Sequence, residues 1–181
     1  MNNVKKSTKN IAKLGILAAI SVVLVALIHV PLIPAAPFLE YDPADVPILL
    51  GTFAMGPVAG LILTVIASVI QGVSVSASSS WYGIVMHIVS TGTFVAVAGN
   101  IYKGKKSKKR AIIALVCGTL AMAAMMVPMN LILTPIYMGV PRSVVTGLLL
   151  PGIIPFNLVK AGLNSIITFF IYKKISPILH K

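Results

Sequence analysis

The sequence predicts an all-α integral membrane protein, a bundle of six transmembrane helices that forms one domain over residues 1–181. Three observations predict this class. Of the 181 residues, 57% are apolar and only 10% are charged, with a mean hydropathy of +0.99, whereas about a quarter of a soluble domain is charged. The apolar residues form runs long enough to cross a bilayer. The basic residues cluster beside those runs.

Six apolar runs are predicted to span the bilayer: residues 11–29, 46–55, 57–72, 83–102, 111–134 and 150–172. The first run is longer than the core of a typical signal peptide, so it is interpreted as a retained span. The Gly56-Pro57 pair turns the chain and divides the second run from the third. Pro128 is expected to kink the fifth span. Pro151 and Pro155 fall in the first turns of the sixth, where proline is best tolerated.

Charge placement supports two short spans over residues 46–72 rather than one long helix. Thirteen of the 15 basic residues form three patches: Lys5, Lys6, Lys9 and Lys13; Lys103, Lys105, Lys106, Lys108, Lys109 and Arg110; and Lys173, Lys174 and Lys181. Only six spans place all three patches on one side, which the positive-inside rule assigns to the cytoplasm. A multi-pass protein of the cell membrane with both termini in the cytoplasm is therefore expected. Loops 30–45, 73–82 and 135–149 then face outward.

The same charge pattern argues against nucleic-acid binding despite the net charge of +12. No aromatic residues interleave with the basic runs, and each run flanks a span. No Gly-rich phosphate loop, paired histidines or cysteine cluster is present, so the sequence predicts neither an enzyme nor a metal or cofactor site. Cys117 is alone in an apolar run and reads as a packing residue.

Lys160 is the most informative single residue. A lysine at the centre of a bilayer helix costs roughly 2.5–3.5 kcal/mol on insertion scales. The predicted spans hold no carboxylate except Asp45 at one edge, so a stabilising ion pair is the weaker interpretation and a polar, ligand-holding cavity is favoured. Asn157 and Asn164 share its helical face. Asn130 is a further polar group in the fifth span.

Two other features have both a ligand-binding and a simpler interpretation. His87 is the one polar residue of the fourth span proposed as a ligand contact, because serine and threonine in membrane helices usually bond to their own backbone or to a neighbouring helix. Trp81 is either part of an interfacial aromatic belt or a stacking wall for a flat ligand. In the first span, Gly15 and Ala19 let another helix approach closely, either within the bundle or from a partner subunit.

Several stretches together resemble the substrate-binding S components of energy-coupling factor (ECF) vitamin transporters, and most of all their riboflavin-binding type. The matching stretches are residues 37–47 (PFLEYDPADVP), 53–60 (FAMGPVAG), 129–130 (MN), 135–137 (PIY) and 154–162 (IPFNLVKAG). The acidic loop and the Pro-Phe-Asn-x-x-Lys segment are fairly specific in combination. The resemblance covers nearly the whole chain.

The resemblance implies a six-helix bundle that captures a vitamin near the outer face and works with a transmembrane T subunit and two cytoplasmic ATPases. It implies that Asn130, Asn157 and Lys160 hydrogen-bond the flavin ring system. The first outer loop, about residues 31–45, would help to cover the ligand, with Leu39 and Tyr41 as contacts. Gly15 and Ala19 would face the T subunit.

Other functions stay open at this point. The third helix lacks the Ile-Lys-Asn-like triplet that is frequent in the riboflavin type, which leaves another vitamin or precursor, pyridoxine-like or pantothenate-like, as an alternative. A stand-alone secondary transporter would need a coupling-ion site, usually with intramembrane carboxylates, and inverted repeats. Neither is visible. A membrane-embedded enzyme would need more than Lys160 and His87.

Overall fold

The computed structural model describes residues 2–104 and 106–179, with side chains for residues 8–174 apart from 78, 80 and 105. Lys105 and Lys181 of the predicted basic patches lie outside the described residues. The elements follow in the order α1 (Asn2–Leu27), β1 (Val30–Pro31), β2 (Glu40–Tyr41), α2 (Asp45–Met55), α3 (Pro57–Val73), α4 (Ser80–Gly104), α5 (Lys108–Met138), α6 (Arg142–Leu148) and α7 (Ile154–Leu179). Apart from the two paired strands of two residues each, the described chain is helical, as the sequence predicts.

Helix α2 lies at the centre of the bundle. Every residue from Asp45 to Phe53 is buried, and the helix packs against α1, α3, α4 and α7. A helix that is apolar on all sides can be stable only inside a protein or a membrane. Ile48, Leu49 and Phe53 are among the largest fully buried side chains. The other long helices surround this centre.

The chain turns sharply after α2, at the break that the Gly56-Pro57 pair predicts. Gly56 has a backbone φ of 101°, a conformation that residues other than glycine rarely adopt. Pro57 then begins α3, where its missing N–H removes no helical hydrogen bond. The 46–72 segment is therefore two helices rather than one.

Four helical segments of the described chain are long and apolar enough to cross a membrane: Thr8–Leu27, Trp81–Gly104, Lys108–Met138 and Arg142–Lys174. Helices α2 and α3 are shorter, with 11 and 17 residues. At 1.5 Å per residue, α2 is about 16 Å long. Because a bilayer core is about 30 Å thick, α2 alone is too short to cross it.

The predicted outer loop 135–149 is largely helical, which corrects the sequence-based boundary. Helix α5 continues through Pro128 and Pro135 to Met138 and ends at Gly139, which has a φ of 64°. After this turn, α6 begins at Arg142 and runs into α7 through a π-helical turn, Leu149–Ile153. Pro151 lies in that turn, whose wider spacing accommodates a residue without an N–H. The helical segment that was predicted to begin at residue 150 therefore begins at Arg142.

Close helix packing generates a testable prediction at Gly118 on α5. A Cβ built there would lie 2.3 Å from the ring of Phe94 on α4. We expect Gly118→Ala to lower the free energy of unfolding by about 1–3 kcal/mol through overpacking, measured as a lower melting temperature in detergent. Gly162→Ala on α7 is the matched control, because its Cβ would meet nothing within 4 Å. Equal melting temperatures for the two variants would contradict close packing of α4 on α5 at Gly118.

Candidate ligand-binding site

A polar cavity opens where the α1–α2 and α3–α4 connections meet the bundle. Its volume is about 180 Å³. Its wall includes the start of α4, whereas the basic segment around Lys106 and Arg110 lies beyond the other end of that helix. The lining side chains are His29, Phe38, Leu39, Glu40, Asp42, Ser68, Gln71, Ser76, Ser79, Tyr82, Met86, His87, Ser90, Met122, Met126, Phe156, Asn157 and Lys160, with Gly72 and Gly83. The lining thus combines aromatic and thioether side chains with a larger number of polar and charged side chains.

The Asp45 carboxylate anchors the wall of this cavity. It is fully buried at the first residue of α2. Its Oδ1 accepts a hydrogen bond from Thr91 Oγ1 at 2.6 Å and lies 3.3 Å from His87 Nε2, both on α4. Its Oδ2 accepts from Asn164 Nδ2 on α7 at 3.0 Å. A buried carboxylate is tolerated when its oxygens are bonded in this way, so α2, α4 and α7 are joined at one point.

Lys160 has a carboxylate partner, which corrects the expectation drawn from the predicted spans. Its Nζ donates to Asp42 Oδ2 at 2.7 Å, and both side chains are largely buried. From the sequence, Asp42 was expected in an outer loop, and Asp45 was the one carboxylate considered at the edge of the spans. The connection between α1 and α2 instead folds back into the bundle. Lys160 also lines the cavity, so the ion pair and the cavity position coexist.

The same connection is tied to α7 by a second contact. The Tyr41 hydroxyl donates to Asn164 Oδ1 at 3.1 Å, and Asn164 Nδ2 lies 3.3 Å from the carbonyl oxygen of Asp42. Burial, with the nearby negative charge of Asp42, raises the pKa of the Tyr41 phenol above its ordinary value of 10.0. The phenol therefore keeps its proton at physiological pH and remains a donor.

The structure brings four of the sequence-predicted ligand contacts to the cavity: Leu39, His87, Asn157 and Lys160. His87 Nδ1 lies 2.7 Å from Ser68 Oγ, so the histidine bridges α3 to Asp45. The Asn157 amide donates to the Ile153 carbonyl one turn earlier at 2.7 Å.

Three other predicted contacts lie outside the lining that the structure describes. Tyr41 is engaged with Asn164, as above. Trp81 is 49% exposed, because successive helical positions diverge and Tyr82 takes the place facing the cavity. Asn130 is fully buried, bonded to the Met126 carbonyl and to Thr134. Thr134 in turn meets the Tyr82 hydroxyl at 2.9 Å, so Asn130 supports the cavity wall from behind.

Sequence reasoning missed several cavity residues, above all Asp42, Ser68 and Gln71. Ser68 and Gln71 lie one turn apart on α3, and Gln71 is the one side-chain amide of that helix. An amide near the end of an otherwise apolar helix was the available signal. Asp42 gave no such signal, because its depth depends on how the whole connection folds. Ser90 and Thr91 were set aside as residues that usually bond to their own backbone or to a neighbouring helix. Both do so, Ser90 to the His87 carbonyl and Thr91 to Asp45 of α2, but Ser90 also lines the cavity.

The small residues of α1 lie on the outer surface of the chain. Gly15 and Ala19 are exposed, and a Cβ added at Gly15 would meet nothing within 4 Å. Internal packing therefore does not account for this pair. Exposed Ile16 and Ile20 lie beside them, so this face of α1 is apolar and carries small side chains at Gly15 and Ala19.

A family model described as "ECF transporter, substrate-specific component" matches residues 9–172. The riboflavin transporter RibU of Staphylococcus aureus (strain TCH60) is 28% identical over 97% of this chain and 95% of its own length. The riboflavin transporter FmnP of Bacillus subtilis (strain 168) is 26% identical over 93% of each chain. A solved S component of a bacterial ECF transporter superposes with a TM-score of 0.83 at 28% identity, covering 97% of this chain and 99% of the other.

The Asp42–Lys160 pair generates a prediction on stability. Asp42→Asn leaves the Lys160 ammonium buried without its carboxylate, so we expect a loss of roughly 3–5 kcal/mol in the free energy of unfolding. In Asp42→Asn/Lys160→Met the unpaired charge is gone, and the loss should be much smaller than the sum of the single losses. Unfolding in detergent measures both. Glu40→Gln, at an exposed acid of the same connection, is the control, and a loss no greater than in that control would contradict the pairing.

Proposed function

The chain belongs to the family of substrate-specific components of ECF transporters, and from that membership we propose that it captures riboflavin from outside the cell for uptake. Members of this family are transport components rather than enzymes. The observation that carries the proposal is the cavity with Asn157 and Lys160 in its wall. The names of the relatives, riboflavin transporters RibU and FmnP, supply the ligand.

The cavity suits a flat heterocycle with polar edges. Phe38, Phe156 and Tyr82 contribute aromatic faces, and Met122 and Met126 contribute polarisable, adaptable surface. The Lys160 ammonium and the Asn157 amide can pair with the carbonyl and ring nitrogen atoms of a flavin. A ligand without those atoms would leave buried polar groups unpaired, so modest chemical changes should be strongly rejected.

The connection between α1 and α2 covers the ligand in this proposal. Its residues Phe38, Leu39 and Asp42 contribute to the cavity wall, and the Ser21 hydroxyl donates to the Ala44 carbonyl at 2.8 Å, which fixes the inner end of the connection on α1. Ligand entry then requires movement of the outer part. Asn130 would act mainly through Tyr82, which it supports by way of Thr134.

We further propose that the chain makes six passes with both termini in the cytoplasm. Helices α2 and α3 form the second and third passes, and the short α2 completes its pass because the preceding connection enters the bundle. The described basic residues at the junction of α4 with α5 and near the end of α7 then share the cytoplasmic side, where anionic lipid attracts them.

Energy for uptake would come from other subunits, a transmembrane T subunit and two ATPases. The exposed face of α1 around Gly15 and Ala19 is the proposed contact with the T subunit, since small residues let helices approach closely in a membrane. Binding and energy coupling thereby occupy different surfaces of this chain.

Riboflavin binding tests the proposal. We expect the full chain, purified in detergent, to quench flavin fluorescence on titration with riboflavin and to be yellow when it retains ligand. Asn157→Ala should weaken binding about tenfold, by removal of an amide from the cavity. Asn100→Ala is the matched control, because the Asn100 amide makes the same bond to a carbonyl one turn earlier but is exposed. A colourless chain that does not bind added riboflavin would refute riboflavin as the ligand.

The α1 face gives a second prediction. Ala19→Leu should leave riboflavin affinity unchanged and reduce riboflavin uptake by cells several-fold, because the added bulk separates α1 from its partner helix. Ala124→Leu, at an exposed alanine of α5, should affect neither quantity. Uptake equal to that of the unmodified chain would exclude this face as the docking surface, and parallel losses of binding and uptake would indicate a role inside the bundle.

A further inference from the structure

The side-chain amide of Gln71 is buried without a partner at the edge of the cavity. Gln71 is 6% exposed and lines the cavity from α3. Its Nε2 is one of two buried side-chain atoms without a hydrogen-bond partner in the part of the chain with described side chains. The other, Thr168 Oγ1, belongs to α7 and lies outside the cavity lining. Buried polar groups are nearly always bonded in proteins, and each exception requires an explanation.

The backbone around Gln71 is held in place, so the position of the amide is built into the fold. The N–H groups of Ser74 and Ser76 donate to the Gln71 carbonyl at 3.2 and 2.8 Å. The next residue, Gly72, packs so closely on Ile84 of α4 that a Cβ there would lie 2.1 Å from its side chain. Gln71 is thus fixed where α3 meets α4.

The wall around Gln71 is rich in hydroxyl groups and carries no lysine or arginine. Apart from the His87 ring, which lies between Ser68 and Asp45, its polar members are Ser68, Gln71, Ser76, Ser79 and Ser90, which we call the α3–α4 polar wall. Each described serine hydroxyl bond in this wall goes to a neutral group of the chain or to the His87 ring: Ser68 Oγ meets the Thr64 carbonyl and His87, Ser79 Oγ the Ser76 carbonyl, and Ser90 Oγ the His87 carbonyl.

The part of the lining on α7 differs in character. There the Lys160 ammonium donates to Asp42 of the α1–α2 connection, and Asn157 lies one turn before Lys160. Helix α3 packs on α4, whereas α7 packs on α5 and α2, so the two sets of polar groups line the cavity from different helices. A ligand that satisfies both must have a polar ring edge at one end and a neutral, hydrogen-bonding group at the other.

We propose that the α3–α4 polar wall is a subsite for the sugar-alcohol chain of the flavin, with Gln71 Nε2 as its principal donor. This assignment rests on the proposed function. Each hydroxyl of a sugar alcohol both accepts and donates, so it can take the unused N–H of Gln71 and offer its own hydrogen to a serine oxygen. An anionic group would instead require the lysine or arginine that this wall lacks.

Two flavins that share one ring separate the subsite from the ring site. Riboflavin carries the sugar-alcohol chain, and lumiflavin carries a methyl group in its place. Titrations of the full chain in detergent should show riboflavin affinity about fivefold to tenfold lower in Gln71→Met than in the unmodified chain, the value of one hydrogen bond. Lumiflavin affinity should be unchanged, because the ring is proposed to bind at Asn157 and Lys160 and lumiflavin has no sugar-alcohol chain to bond with Gln71. Thr168→Val, which removes the other unpartnered group, should change neither.

The melting temperature of Gln71→Met distinguishes a ligand-binding role of Gln71 from a merely structural one. Without ligand, Gln71→Met removes a buried, unpartnered donor, so its melting temperature should equal or exceed that of the unmodified chain. Equal loss of both flavins, unchanged riboflavin affinity, or a lower melting temperature together with general loss of binding would each overturn the subsite and leave riboflavin as the ligand. An unmodified chain that binds neither flavin would refute the proposed function and the subsite together.

Discussion

The end of the bundle that holds the cavity depends on the buried carboxylate of Asp45. Helices α4 and α7 contact it directly and α3 is linked to it through His87, and these helices come from distant parts of the sequence. Thr91 and His87 reach it from α4, Asn164 from α7, and Ser68 reaches it by way of His87. An ionised group at this depth is stable only with its oxygens bonded. Each of these helices is therefore fixed relative to α2, and the cavity is the space that this arrangement leaves.

The same requirement explains why the connection before α2 does not stay at the surface. Lys160 on α7 is buried and needs a counter-charge, and Asp42 supplies it from three residues before Asp45. The two acids of one short segment thus have different partners. Asp42 pairs with the Lys160 ammonium of α7, and Asp45 binds the hydroxyl and imidazole groups of α4. Because riboflavin is proposed to use Lys160 as well, ligand binding and the position of the connection are linked through one ammonium group.

Much of the architecture was readable from the sequence, because long apolar runs and the positions of lysines are local signals. Gly56-Pro57 marked the division between α2 and α3, and Lys160 and Asn157 stood out as polar groups in an apolar helix. Proline was the misleading signal at 135–149, since a π-helical turn accommodates Pro151 and lets the helix continue. Asp42 and Gln71 were missed because their surroundings are made by residues far away in the chain. Trp81 lies outside the cavity lining because α4 begins at Ser80. Successive side chains of a helix point in different directions, and here Tyr82 rather than Trp81 points toward the cavity.

The shortness of α2 has a consequence for the path of the ligand. Asp45 begins this helix beside the cavity, and near the other end of the helix the Ala54 carbonyl accepts from Lys106 of the basic segment between α4 and α5 at 3.4 Å. Only about 16 Å of helix separates the two, roughly half of a bilayer core. In the proposed orientation, a molecule seated beside Lys160 would have crossed about half of the hydrophobic barrier by entering from outside. The step proposed to consume ATP would then have to open only the other half, where Phe53 packs against Tyr102 and Tyr172.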